Sequence, residues 1–308
     1  MRPYSRVYAT VNLDAVASNM KSMRENLPAS TLIMGSVKAD GYGHGSVPIA
    51  KTIEPYVFGY AVATIDEGII LRRHGINKTI LILGVTHESQ YEELLRYDIR
   101  TAMFQYEKAK KLSDLAVKHG KKAVVHLALD TGMSRIGMKA DREHAKEAAS
   151  IAALEGIEVE GLFTHFARAD ETDKSAYEEQ YRRYKEFLGY LEELGVQIPI
   201  RHCSNSAGIV ESLESNHMDM VRAGIAIYGM YPSDEVDHNS VKLTPAMEIK
   251  SCITYIKEIG AGTAVSYGGT FVADHTMKVA TIPVGYGDGY VRSLSGKGDV
   301  LIRGKRAA

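Results

Sequence analysis

Eight short apolar runs, rich in β-branched residues, recur through the first three-quarters of the chain, and an amphipathic stretch follows each of the first six. They occupy residues 31–39, 57–64, 79–84, 99–104, 123–129, 158–166, 200–205 and 219–224. Each is nearly continuous in apolar character rather than alternating, the pattern of a parallel strand covered on both faces. Between them lie helix-patterned segments such as "VPIAKTIEPY", "YEKAKKLSDLAVKHG" and "SAYEEQYRRYKEFLGYLEELG". In "DEGIILRRHG", Asp66 reads as the helix N-cap and Gly75 as its stop. Strand and helix in steady alternation mean an α/β architecture. Eight units favour a closed (β/α)8 barrel of the TIM type over an open doubly wound sheet, the alternative for such a pattern.

Beyond about residue 240 the texture changes. "AMEIKSCITYIKEI", "TAVSYGGTF" and "KVATIPVGYGDGY" carry β-branched residues and glycine turns without helical periodicity, which predicts a mainly β C-terminal domain. "RVYATVNL" reads as one more strand, suited to pair with that domain. The expected organisation is therefore an N-terminal strand at 1–13, a barrel over 14–240 and a β-strand domain over 241–308. A chain of 308 residues is long enough for both. "GDVLIRGKRAA" reads as a strand with no partner after it, so the β domain is expected to be truncated.

Composition removes several classes of function. The 37 basic and 38 acidic residues leave a formal net charge of -1, with no global pull toward nucleic acid or an anionic membrane. The N-terminus lacks an apolar signal core, and no window reaches membrane-spanning length. Cys203 and Cys252 lie far apart without metal-ligand spacing, which fits a reducing, cytoplasmic setting and no metal.

In a barrel, reactive groups belong at the C-terminal ends of strands. Lys38, in "SVKADGYGHG", ends the first run; Arg135, in "DTGMSRIG", follows the fifth; His165 ends the sixth and Arg222 the eighth. Singly, each has an ordinary reading: a snorkelling lysine, a loop cation, a core histidine, a structural ion pair. Four on one rim point to a site. "SNSAGIV" and "RAGIAIYG", after the seventh and eighth runs, offer Ser206 and Gly224 for a phosphate; plain helix capping by Ser204 or Asn205 explains the first equally well. "GYGHG" lacks the G-x-G-x-x-G spacing and its acidic partner, so a dinucleotide is excluded. A lysine facing a phosphate site suggests pyridoxal 5'-phosphate, with the lysine as covalent attachment point and the ring as electron sink.

"VKADGYGHG", "DTGMSRIG", "MVRAGIAIYG", "VSYGGTF" and "PVGYGDGY" occur in the order found in the alanine racemase family, fold-type III pyridoxal-phosphate enzymes, and the resemblance spans the chain. It implies racemisation of a small amino acid, L-alanine to D-alanine and back, supplying cell-wall peptidoglycan. It implies two bases, Lys38 and Tyr267, the latter from the partner subunit of a homodimer with shared active sites. His165 and Arg222 would assist the tyrosine, with Arg222 also facing the pyridine nitrogen. Tyr42, Asn205, Ser206, Gly224 and Ile225 would surround the phosphate; Arg135 would contact cofactor and substrate carboxylate, and Tyr286 would line the substrate entrance. Ala128 departs from the family's usual lysine, so an anion or water is expected beside Arg135. The family's later Cys-Met-Asp segment is also missing. Rival readings are a serine or broad-specificity racemase, and a fragment that binds the cofactor without turnover. A decarboxylase would need a cysteine from the β domain, and Cys252 is expected in a strand interior. A metal-dependent hydrolase would need paired histidines, whereas His165 and His202 stand apart.

Overall fold

The computed structural model describes residues 6–307. The chain divides into two compact units: Asn12–Ala246, and the segment ending at Val11 together with the chain from Met247 onward.

The larger unit is a nearly closed parallel barrel. Its strands are β1 (Leu32–Ser36), β2 (Gly59–Val62), β3 (Thr79–Ile82), β4 (Arg100–Met103), β5 (Ala123–Asp130), β6 (Ile157–Phe163), β7 (Ile200–His202) and β8 (Met220–Ala223). Each pairs with the next in parallel from β1 to β7, and β8 returns to pair with β1, Arg222 opposite Met34. Among the described residues no ladder joins β7 to β8, but the Arg222 N–H donates to the Ser204 carbonyl at 2.9 Å across that seam.

Local chemistry explains the helices between the strands. Tyr106–Lys118 buries Ala109, Leu112, Ser113 and Ala116, one helical face. Arg142–Ala152 is capped by Asp141, whose carboxylate accepts from the His144 N–H at 2.9 Å. Asp66 is not an N-cap. The helix Ile65–Arg73 has its N-cap two residues earlier, at Thr64, whose hydroxyl accepts from the Glu67 N–H at 3.4 Å. Asp66 instead sits in the first turn, where its charge meets the positive end of the helix dipole. Gly75 follows the helix at φ 82°, a left-handed stop as expected.

Side-chain clusters of the described residues pack inside the barrel. Met34, Ala61, Leu81 and Met220 meet at the β8–β1–β2–β3 side; Ala102, Ala128 and Phe163 meet at the β4–β5–β6 side. Leu83 packs against both, which makes them one continuous core.

In the smaller unit every strand pair is antiparallel. Val7–Val11 pairs with Met247–Ser251, Tyr255–Ile259 with Met277–Thr281, and Ala264–Val265 with Phe271–Val272. Two expectations fail here. The C-terminal run is not a lone strand: Val300–Ile302 folds back on Lys305–Ala307. Arg303 and Gly304, at φ 52° and 78°, provide the pair of left-handed residues that a tight hairpin requires. Nor is Cys252 inside a strand; Met247–Ser251 ends just before it. No helix of the described residues is long and apolar enough to cross a membrane.

Candidate active site at the barrel mouth

Strand β1 stops at Ser36, and Lys38 stands two residues further on, at the entrance to an unusual turn. Ala39, Asp40, Gly41 and Tyr42 all take left-handed backbone angles, with φ of 51°, 50°, 61° and 53°. Three carry a Cβ, and each such residue costs about 1–2 kcal/mol there. Hydrogen bonds hold the turn in place. The Asp40 carboxylate accepts from the Ser46 N–H at 2.7 Å, and its carbonyl accepts from the Gly45 N–H at 2.9 Å. The two oxygens of Glu67 accept from the N–H groups of Ala39 and Ala63, each at 2.7 Å. Glu67 thus ties the residue after the lysine to the end of β2. Tyr228 supports the turn from below: its ring lies 5.0 Å from that of Tyr42 and 4.6 Å from that of His44, and its hydroxyl donates to the Ser36 carbonyl at 2.9 Å.

Arg222, on β8, is 3% exposed. Its Nη1 donates to His202 Nδ1 at 2.8 Å and to the His202 carbonyl at 3.0 Å. Its Nη2 donates to the carbonyls of Thr164 at 2.6 Å and Cys203 at 2.9 Å, and reaches His165 Nδ1 at 3.4 Å. Among the described residues no carboxylate pairs with it. Its Nε is buried and has no partner. Burial pulls its pKa down to about 10, which still leaves it charged at neutral pH. His165 falls to about 3, first through burial and then through Arg222, Arg135 and Lys38. The imidazole is therefore neutral. A proton on its Nε2 leaves Nδ1 free to face the Arg222 guanidinium.

Across the mouth, two hydroxyls converge on Gly224. The Ser206 hydroxyl accepts from the Gly224 N–H at 2.9 Å, and a Cβ at Gly224 would lie 3.4 Å from Ser206 Oγ and 3.6 Å from Tyr42 Oη. Ile225 opens the short turn Ile225–Tyr228. Asn205 does cap the one-turn helix Ser206–Val210, accepting from the Gly208 N–H at 3.2 Å, and also donates to the Phe166 carbonyl at 3.3 Å. Capping at Asn205 and a hydroxyl cradle at Ser206 coexist.

Lys38, Arg135, His165 and Arg222 line one cavity of about 190 Å³, closed on its apolar side by Leu83 and Phe163. Arg135 is exposed and has no hydrogen bond or ion pair among the described residues. Ala128 is 1% exposed and buried against Ala102 and Phe163. Tyr267 and Tyr286 belong to the smaller unit, each opening a short turn, and are 92% and 74% exposed. Sequence reasoning missed Glu67: an acidic residue in a helix's first turn reads as an ordinary dipole partner.

Residues 11–232 match the alanine racemase N-terminal domain family, and residues 246–308 its C-terminal domain family. The chain belongs to the alanine racemase family. Its sequence is 44% identical over 302 residues to an alanine racemase of Desulforamulus reducens, covering 98% of this chain and 81% of that one. The alanine racemase of Clostridium perfringens is also 44% identical, with 98% and 78% covered. The solved alanine racemase of Clostridium difficile 630 superimposes with a TM-score of 0.93 at 40% identity, covering 99% of this chain and 80% of that one. As a member of this family the chain is an isomerase, an amino-acid racemase.

Proposed function

We propose that this chain interconverts L- and D-alanine with pyridoxal 5'-phosphate held at the barrel mouth. The observation that carries the reading is the unpartnered, buried Nε of Arg222. A desolvated donor without an acceptor costs about 1–3 kcal/mol, and the ring nitrogen of this cofactor supplies the missing acceptor. The cradle at Tyr42, Ser206, Gly224 and Ile225, with Asn205 beside it, suits the phosphate. Lys38 suits the covalent link, and Arg135, without a protein partner, suits the cofactor's phenolate oxygen and a substrate carboxylate. When bound, the cofactor withdraws electrons from the substrate α-carbon and acidifies its proton.

The chain's own groups do the remaining work. Lys38 Nζ holds or gives up a proton on one face of the substrate. Tyr267, from a second copy of the chain, does so on the other, since inversion needs a base on each face. Its near-complete exposure and that of Tyr286, placed at the substrate entrance, fit residues offered to a homodimer partner. The neutral His165 keeps an Nε2–H to donate to the tyrosine oxygen. Arg222, permanently a donor, keeps the cofactor's ring nitrogen unprotonated. We place the enzyme in the cytoplasm, where two free thiols persist, as a supplier of D-alanine for peptidoglycan.

Borohydride reduction of cofactor-loaded protein, with peptide mapping, tests the reading. A pyridoxyl adduct on Lys38, with alanine racemisation whose specific rate falls on dilution below the dimer constant, is the expected result. No adduct at Lys38, or turnover of serine but not alanine, overturns it.

A further inference from the structure

A chain of polar side chains crosses the barrel from the mouth to the opposite rim, one residue from each of β5 to β8. Arg222 Nη1 meets His202 Nδ1 at 2.8 Å; His202 Nε2 meets His126 Nδ1 at 2.8 Å; His126 Nε2 meets Glu160 Oε2 at 3.0 Å. At the far end the Arg100 Nε donates to that same carboxylate oxygen at 3.4 Å. Both imidazoles are fully buried, while Glu160 and Arg100 reach the surface in part. Backbone features make room for the chain. The β5–β6 register shifts between Val125 and His126, and a Cβ on Gly161 would overlap the His126 ring.

The two ends fix everything between them. A guanidinium only donates and a carboxylate only accepts. With each imidazole neutral, three hydrogen bonds form under one assignment alone: the proton on Nε2 of both His202 and His126. Moving either proton to Nδ1 sets two donors, or two bare nitrogens, against each other. A second proton on either ring fails too, because it forces an N–H against the Arg222 N–H. Burial, chiefly, holds both histidines below their ordinary pKa and so agrees with neutral rings. At Glu160 burial alone would raise the pKa, but the hydrogen bond from His126 and the charge of Arg100 hold it low.

We infer that Glu160 is a positioning residue for the active site: through His126 and His202 it fixes the tautomer that presents a lone pair to Arg222. The inference rests on the proposed role of Arg222 at the mouth; the proton order itself does not. It gives a buried guanidinium without a carboxylate partner an oriented acceptor, anchored across the barrel by the Glu160 carboxylate.

Imidazole 15N NMR on the full chain, labelled at histidine and assigned with His126→Asn and His202→Asn, reads the proton order without cofactor or turnover. The expected spectrum shows both rings neutral and protonated at Nε2 alone. A proton on Nδ1 of either ring, or a charged ring at neutral pH, overturns the inference before any further variant is made. Glu160→Leu is expected to lose the single tautomer at His126, and Glu160→Gln, whose amide oxygen still accepts, to keep it. On the loaded enzyme, Glu160→Leu is expected to lower kcat about tenfold or more with KM within about twofold, the pattern for an interaction used in the transition state; Glu160→Gln should recover most of it. A changed tautomer with unchanged kcat overturns the positioning role while leaving the reading of Arg222 intact. Absence of racemisation in the unsubstituted chain would instead count against the proposed function, with the proton order still legible by NMR.

Discussion

Glu67→Gln isolates what holds the lysine in place. The carboxylate serves two backbone N–H groups at 2.7 Å each, one at Ala39 just after Lys38 and one at Ala63 after β2. An amide has a single oxygen, so Gln keeps one bond and turns an NH2 toward the other N–H. Hydrogen bonds to charged groups contribute about 1.5–3 kcal/mol each, and Glu67 is partly solvated, which favours the lower figure. Against this stands the strain of three left-handed residues with side chains, about 3–6 kcal/mol together. The carboxylate therefore offsets a large share of what the turn costs. We expect Glu67→Gln to lower unfolding stability by about 1.5 kcal/mol in urea titration. We also expect slower borohydride trapping of cofactor at Lys38, because the lysine loses its fixed neighbour. Adding Ala39→Gly relieves one strained residue and should restore part of both. Unchanged stability, within about 0.5 kcal/mol, together with unchanged trapping would refute the view that Glu67 holds the turn.

Three further outcomes are expected. His126, His202 and His165 stay neutral when folded and gain protons near pH 6.5 when unfolded, so the unfolded state binds more protons below that value. Stability is then fully present above about pH 6.5 and falls as pH drops, by up to about 1.4 kcal/mol per pH unit for each histidine; urea midpoints that coincide at pH 6.5 and pH 5 would contradict this. Tyr267→Phe removes only a hydroxyl from a side chain that is 92% exposed, so Tm should hold while alanine racemisation falls by two decades or more, about 2.7 kcal/mol of barrier; retained activity would remove it as a base. Met34→Ala opens a cavity in the barrel core and should cost about 2–5 kcal/mol in chemical denaturation, with a cost under 1 kcal/mol showing that the barrel collapses to fill it.

Much of this architecture is legible in the residues because its cause is local. Eight uninterrupted apolar runs separated by amphipathic stretches leave a parallel sheet with both faces covered as the economical arrangement, and β1 to β8 follow. Lys38, Arg135, His165 and Arg222 were readable as a set because a barrel gathers its strand ends at one rim. Features created by long-range contacts stayed hidden. "ADGYGHG" announces flexibility at its glycines, yet Ala39, Asp40 and Tyr42 share the left-handed conformation through Glu67, Ser46 and Tyr228. His126 and His202, 76 residues apart, look like two unrelated core histidines until β5 and β7, on either side of β6, bring their ring nitrogens to 2.8 Å. The C-terminal hairpin escaped because its turn is Arg-Gly, without the Asn-Gly or Asp-Gly signal.

The left-handed turn after Lys38 also shapes how this chain can vary over generations. Positions 39, 40 and 42 carry no glycine, yet their backbone belongs to the region that glycine, asparagine and aspartate tolerate best. In a library of single replacements position 39 should accept those residues, and all three sites should reject valine, isoleucine and threonine, with the Asp40 carboxylate and the Tyr42 hydroxyl narrowing further what positions 40 and 42 accept. A reader of such a library, without coordinates, would see a short stretch where chirality rather than hydrophobicity sorts survivors from losses.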